Sequence, residues 1–312
     1  MPLKSEARKS PLSLIPEGIK LARSTMRISF ENEKCKLLRH EMEKKRQLEL
    51  NYAFRTKVRN SRFFFLHFNH CRHFLHGNFQ CHLEDALERG IKVIDVSCGS
   101  GVWTLEMAHD FPNSTFVGTD VASHLFPQED VPPNCSFVRA DTRKGLPFED
   151  GDFDFTFQRM VNHVYTPEAW EKVIAELVRV TKKGGWVELV EVAGTIQRAP
   201  TNYQQYEDAW LAAASDRGID FNISRDLGGL LSRSSLTSVE SDYVCASIGW
   251  NGRAGEALGR YLEMHRLTIK KWMAPLMRVS EEEYEQWAVT ISRQLAGSRS
   301  WGHAYYAYGR KT

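Results

Sequence analysis

Residues 93–103, Val-Ile-Asp-Val-Ser-Cys-Gly-Ser-Gly-Val-Trp, constrain this chain more than any other stretch. A short apolar run closes on Asp95, passes through a turn of small residues and opens into the helical pattern of Thr104–Ala108. That order predicts a buried strand, a tight loop and a helix start. Glycines there let a ligand approach the backbone, and the helix N-terminus favours an anion. The same combination recurs downstream without the glycines. Phe116–Asp120 and Phe137–Asp141 each read as a strand closed by an acid, Phe153–Gln158 as a fourth strand, and Trp186–Val192 as a fifth. A helix over Trp170–Val180 is expected to stop at Lys182-Lys183-Gly184-Gly185. Strands alternating with helices predict an α/β, doubly wound, mostly parallel sheet whose ligands gather at the carboxyl ends of the strands.

Charge narrows the ligand. A dinucleotide pyrophosphate would be repelled by Asp95, and its G-x-G-x-x-G fingerprint fails because Thr104 stands at the third glycine position after Gly99 and Gly101. A ligand with an ammonium and a carboxylate on one carbon fits better: amino group toward the acid, carboxylate toward backbone N–H groups. S-adenosylmethionine is such a ligand. Asp120 then follows the glycine loop at the interval of a ribose-binding acid.

Asp95-Val-Ser-Cys-Gly-Ser-Gly resembles the first motif of class I S-adenosylmethionine-dependent methyltransferases. The resemblance extends to Asp120 and Val121 beside the ribose, to Asp141 and Thr142 at the adenine edge, and to Leu146–Asp154 before strand four. Three further segments are similar to the fungal group that contains secondary-metabolism regulators and small-molecule methyltransferases. They are His76-Gly77-Asn78-Phe79, Phe157-Gln158-Arg159 and the terminal Tyr305–Lys311. The resemblance covers about residues 63–312. It implies a seven-stranded Rossmann-like fold whose last strand enters antiparallel between strands five and six. It also implies a cofactor site formed by Asn78, Asp95, Ser97, Cys98, Gly99, Gly101, Trp103, Asp120, Val121, Asp141, Thr142 and Gln158, with residues before Phe79 covering the methionine end. Ser97 departs from the family, which has glycine there. A positive φ at that serine would cost on the order of 1 kcal/mol or more.

Domain organisation follows from charge and pattern. Residues 1–62 carry 16 Lys and Arg against 7 Glu, a balance of +9 that leaves −7 for the remainder. Residues 1–30 read as a flexible basic N-terminus, 31–85 as a helical extension and cofactor cap, and 86–312 as the methyltransferase domain with a helical insertion at about 200–240. Mixed-sign charge along 31–59 reads as a solvated helix, and an overall charge of +2 predicts no nucleic acid partner. Six cysteines without a C-x-x-C pair suit a reduced compartment, and the absence of a long apolar run argues against a membrane partner. A cytoplasmic location is expected, with the nucleus as the alternative.

His67, His70, His73, His76 and His82 crowd one segment with Cys71 and Cys81, yet their three-residue spacing fans them around a helix and no carboxylate completes a tetrahedron. No metal is expected. Asn78 reads either as a polar contact of the cofactor or as a left-handed turn residue, and Trp103 equally as a lining or a packing residue. Cys98 lacks an activating base for a nucleophilic role.

The chemistry asks little of side chains, because a sulfonium already activates its methyl group. A general base is required only where the acceptor must lose a proton, and His163, just past strand four, is the candidate. Acceptor recognition is expected from Tyr203–Arg217, Leu227–Leu236, a strand over Tyr243–Ile248, one long helix over Glu256–Met277 and a last helix over Glu281–Leu295 before the strand Gly302–Arg310. Their aromatics and methionines favour a flat, apolar acceptor. Two functions from different classes remain open on these residues: methyl transfer to a small organic acceptor at O, N or S, and a regulatory protein that keeps the fold with weak or no turnover. A protein methyltransferase is a third.

Overall fold

The computed structural model describes residues 74–312. The parts of the extension and of the histidine-rich segment that precede Phe74 lie outside the described residues.

Seven strands form one sheet in the order β3-β2-β1-β4-β5-β7-β6. They are β1 (Lys92–Val96), β2 (Thr115–Asp120), β3 (Cys135–Arg139), β4 (Phe153–Arg159), β5 (Thr181–Gln197), β6 (Leu236–Ser247) and β7 (Trp301–Lys311). The first five pair in parallel, and β7 runs antiparallel to both β5 and β6. The order reverses between β1 and β4, which places a crevice at their carboxyl ends. This is the expected doubly wound fold, with the terminal strand inserted where the resemblance put it.

Two apolar layers cover the sheet. One face carries Val93, Phe116, Phe155, Phe157 and Val190 against α1 (Glu84–Arg89) and α2 (Val102–Asp110). The other carries Ile94, Val96, Val117, Val187 and Leu189 against α3 (Pro167–Val180) and α5 (Leu227–Ser232). Helix α3 begins where Thr166 accepts the Ala169 N–H and Pro167 fills the first turn, and it buries Trp170, Val173, Ile174 and Leu177 on one stripe. The alternation along β1 and β4 therefore sends neighbouring residues to opposite layers.

A third cluster lies beyond β5 and joins α4 (Gln204–Ser215), α7 (Lys270–Met277) and α8 (Glu281–Gly297) with α6 (Gly252–Thr268). Ser280 and Glu283 form a reciprocal capping box at the start of α8.

Several boundaries differ from expectation: the third strand is Cys135–Arg139, two residues short of Asp141, the helix from Leu227 stops at Ser232, and the fifth strand runs on to Gln197. The long helix over 256–277 is two helices, α6 and α7, divided at Ile269. Ile269, Met273 and Met277 are all buried, so tertiary packing sets the break where no Gly or Pro marks it. Lys182–Gly185 already belong to β5, because α3 passes directly into the strand at Thr181. Strand β6 begins at Leu236, seven residues early. Pairing with β7 alone, it is the sheet's edge, and its exposed Glu240, Ser241 and Asp242 suppress the apolar alternation that announces a strand. Among the described residues no helix is long and apolar enough to cross a membrane.

Candidate functional site

The loop between β1 and α2 is built from left-handed backbone. Ser97, Gly99 and Gly101 have φ of 61°, 59° and 75°. Two of these positions are glycines, for which that region costs little; Ser97 has no such exemption. Its hydroxyl lies 3.0 Å from the Tyr165 phenol oxygen. Tyr165 is buried, 4% exposed, and its hydroxyl also reaches Thr142. Burial raises the Tyr165 pKa. One neutral phenol thus ties the loop after β1 to the turn after β3.

Backbone bonds pin the rest of the loop. Cys98 N–H donates to the Thr119 carbonyl at 2.8 Å and Gly101 N–H to the Cys98 carbonyl at 3.0 Å. A Cβ on Gly101 would collide with the edge of the Phe137 ring, and one on Gly118 would come within 2.6 Å of it. Phe137 therefore packs under the loop, and the two glycines leave it room. Cys98 is buried, consistent with a structural thiol.

The acids occupy distinct positions. Asp95 is 4% exposed and accepts the Thr104 hydroxyl at 2.7 Å, which ties β1 to the first turn of α2. Asp120 ends β2 and accepts Gly99 N–H at 3.0 Å and Ala122 N–H at 2.8 Å. Val121, beside it, gives its carbonyl to Arg139. Asp141 lies two residues beyond β3. It accepts two bonds from the Arg143 guanidinium, at 2.8 and 2.9 Å, and that pairing lowers its pKa.

Four side chains around the strand ends keep buried polar atoms with no hydrogen-bond partner among the described residues: Asn78 Oδ1, Ser100 Oγ, Thr119 Oγ1 and both amide atoms of Gln158. Thr119 and Gln158 flank Val96 in register on either side. Asn78 is tied to the first turn of α2 by Trp103, whose Nε1 donates to the Asn78 carbonyl at 2.8 Å. An orphaned buried polar group costs roughly 1–3 kcal/mol. Five such atoms, on the strand ends and on the segments beside them, fit a polar ligand held at the carboxyl edge of the sheet.

Two alternatives left open by the sequence are narrowed. Trp103 is 2% exposed and stacks on Phe157 with ring centroids 4.0 Å apart, so its ring packs in the core. The left-handed residue of the 76–79 turn is His76, φ 57°, and not Asn78. His163 is exposed, in the turn that joins β4 to α3.

Glu188 and Glu191 were not singled out from the sequence. Both are fully buried on β5. Glu188 accepts the Gln80 N–H at 2.9 Å and the Cys81 N–H at 3.1 Å, fastening the 78–81 segment to the sheet. Glu191 accepts the Val161 N–H at 2.8 Å and the Asn162 N–H at 3.0 Å, which anchors the turn that carries His163. Burial pushes Glu188 up to about 7 and Glu191 up to about 8, against the opposing pull of the N–H donors. The signal was two acids inside the apolar run Trp186–Val192, three residues apart and hence on opposite faces. Among the described residues no group of His, Cys, Asp and Glu could hold a metal ion.

Comparison with known proteins agrees with this geometry. Residues 93–185 match the methyltransferase domain family. The chain is 35% identical over 102 residues to the N-methyltransferase verN of Clonostachys rogersoniana, covering 32% of this chain and 36% of that protein. It is 26% identical over 133 residues to the secondary metabolism regulator LAE1 of Cochliobolus heterostrophus, covering 40% and 42% respectively. A longer match, 25% identical over 244 residues, joins it to the N-methyltransferase tcpN of Claviceps purpurea, covering 72% of this chain and 85% of that one. The chain thus spans well under half the length of the first and second of these relatives.

Proposed function

We propose that this chain, which carries a class I methyltransferase domain related to those of the fungal group, transfers the methyl group of S-adenosylmethionine to a small organic acceptor. The observation that carries the reading is the group of orphaned polar atoms on Asn78, Ser100, Thr119 and Gln158, set around a left-handed glycine loop at the sheet's switch point.

When bound, the cofactor supplies a methyl carbon made electrophilic by its sulfonium. The chain's own residues bind, orient and screen. The first turn of α2 leaves N–H groups without intrahelical partners, a positive end suited to the methionine carboxylate. Asp95 and Asp120 supply negative charge on the ammonium and ribose sides, and the Asp141–Thr142 turn offers the adenine edge its polar atoms. Gln158 and Asn78 have the unused amide groups to complete the set. Attack in line with the breaking bond depends on positioning, which contributes more here than acid–base chemistry. Where the acceptor must lose a proton, His163 is the base, and Glu191 fixes the turn that presents it. Nitrogen is the favoured acceptor atom, since two of the relatives above are N-methyltransferases.

Calorimetric titration with S-adenosylmethionine and its demethylated product tests the reading. Micromolar binding that is lost in Asp120→Ala is the expected result. No binding by the folded chain would overturn it and favour a regulatory protein that keeps the fold, the reading toward which the strained Ser97 and the LAE1 likeness point.

A further inference from the structure

The aromatic cluster beyond β5 contains a cation that no carboxylate neutralises among the described residues. Arg266, near the end of α6, is 2% exposed. Of its five N–H donors, one bond is made: Nη2 to the Ser292 hydroxyl at 2.8 Å. Its Nε is buried without a partner, and no carboxylate pairs with it among the described residues. The acids of α4 are engaged elsewhere: Glu207 accepts the Ile196 N–H at 3.0 Å, and Asp208 accepts the Gln204 amide at 2.9 Å. Glu285 of α8 pairs with Lys270. Burial pushes the neighbouring His265 down to about 4, so its ring is neutral and brings neither a counter-charge nor a second cation.

Burying a guanidinium without a counter-ion is costly, and apolar packing alone does not offset it. Chains retain such a group where something else supplies the anion. The surroundings say what kind of molecule that is. Tyr203 and Tyr206 both feel the Arg266 charge. Tyr206 stacks against Trp287 at 5.1 Å, and Trp210 stacks against Phe221 at 5.9 Å. Phe221 packs on Gly194 of β5, two residues beyond Val192, whose carbonyl receives the Asn162 side chain at 2.6 Å. The aromatic cluster and the His163 turn therefore meet the same end of β5.

We propose that Arg266 is the anion-recognition residue of the acceptor site, which takes a planar apolar molecule bearing one carboxylate. This rests on the methyl-transfer reading for the word acceptor, though the anion site itself does not. A guanidinium suits a carboxylate because its fork can give two parallel N–H bonds. It modifies the expectation of a wholly apolar acceptor: the body is apolar and one end is charged.

The test is calorimetric titration of the full chain with naphthalene-2-carboxylate and with naphthalene-2-carboxamide, which share a body and differ in charge. The carboxylate is expected to bind at least tenfold more tightly, and Arg266→Met is expected to erase that preference while its thermal midpoint holds or rises. Equal affinities in the wild-type chain, no binding of either probe, or a preference that survives in Arg266→Met would overturn the proposal. Should Arg266→Met fail to fold, the wild-type comparison and Arg266→Lys, expected to keep a reduced preference, decide it. The cofactor titration fails separately. A carboxylate preference without S-adenosylmethionine binding removes the enzymatic reading alone, and cofactor binding without the preference removes this one alone.

Discussion

The Ser97 hydroxyl and the Tyr165 phenol lie 3.0 Å apart, and this contact joins the strained residue of the loop to a buried anchor outside it. A serine held at φ 61° costs about 1–2 kcal/mol relative to a relaxed residue. A net hydrogen bond returns about 1 kcal/mol. The two terms nearly cancel, so the turn tolerates a serine at this left-handed position.

That balance sets an order among variants. Ser97→Ala keeps the strain and loses the bond, so it should be less stable than wild type by about 1 kcal/mol. Ser97→Gly loses both and should lie close to wild type. In a Tyr165→Phe background the glycine variant should become the more stable of the two. Urea midpoints across this double-mutant cycle check the coupling, and strictly additive effects would show that the contact carries no energy.

Packing beneath the loop gives a second expectation. Gly101→Ala would drive a methyl group against the edge of the Phe137 ring and demand φ 75° of an alanine. A loss of about 2 kcal/mol or more is expected from overpacking and strain together. Adding Phe137→Leu should recover only part of it, because the leucine relieves the clash and leaves the backbone penalty. Full recovery would mean that φ at this position is not constrained.

Asp120, proposed for the ribose side of the cofactor site, holds Gly99 and Ala122 through its two oxygens. Asp120→Asn retains one acceptor oxygen and turns an amide N–H₂ toward a backbone donor. S-adenosylmethionine affinity should fall at least tenfold, about 1.4 kcal/mol, with the urea midpoint lowered as well. Unchanged affinity would remove Asp120 from the ribose side of the site.

His163→Ala separates proton removal from binding. Its effect on S-adenosylmethionine affinity should be small, because the His163 side chain is exposed. Turnover of a phenolic acceptor should drop by about 100-fold or more if it serves as base. Equal turnover in the variant would take it out of the mechanism.

Much of this arrangement was legible in the sequence, for local reasons. Asp95, Asp120 and Asp141 fall at or within two residues of strand ends because each follows an apolar run, and the glycine loop announces its own turn. The antiparallel β7 came from resemblance, since nothing in Trp301–Lys311 specifies its neighbours. What escaped depended on distant partners. Tyr165 anchors Ser97 across 68 residues and Glu188 holds Gln80 across 108, so neither pairing has a local signature. Trp103 could not be assigned until Phe157 supplied a stacking partner. The helix break at Ile269 is likewise a product of packing.

The two buried glutamates give the protein a pH dependence whose sign can be worked out. Each carboxyl ionises near 4.3 in an unfolded chain, while burial raises Glu188 to about 7 and Glu191 to about 8 in the folded one. Between those limits the native state binds more protons than the unfolded state, so stability falls as pH rises. The contribution is complete below about pH 4 and spent above about pH 8. The slope in between is on the order of 1 kcal/mol per pH unit for each group, the N–H donors being already counted in the two raised values. Urea midpoints at pH 5, 6, 7 and 8 should decline steadily. Glu191→Gln keeps an oxygen for the Val161 and Asn162 N–H groups and removes the ionisation, so its decline should be about half as steep and its stability at pH 8 higher than wild type. An unchanged slope in Glu191→Gln would mean that Glu191 stays ionised in the fold, stabilised by the N–H donors of the turn that carries His163.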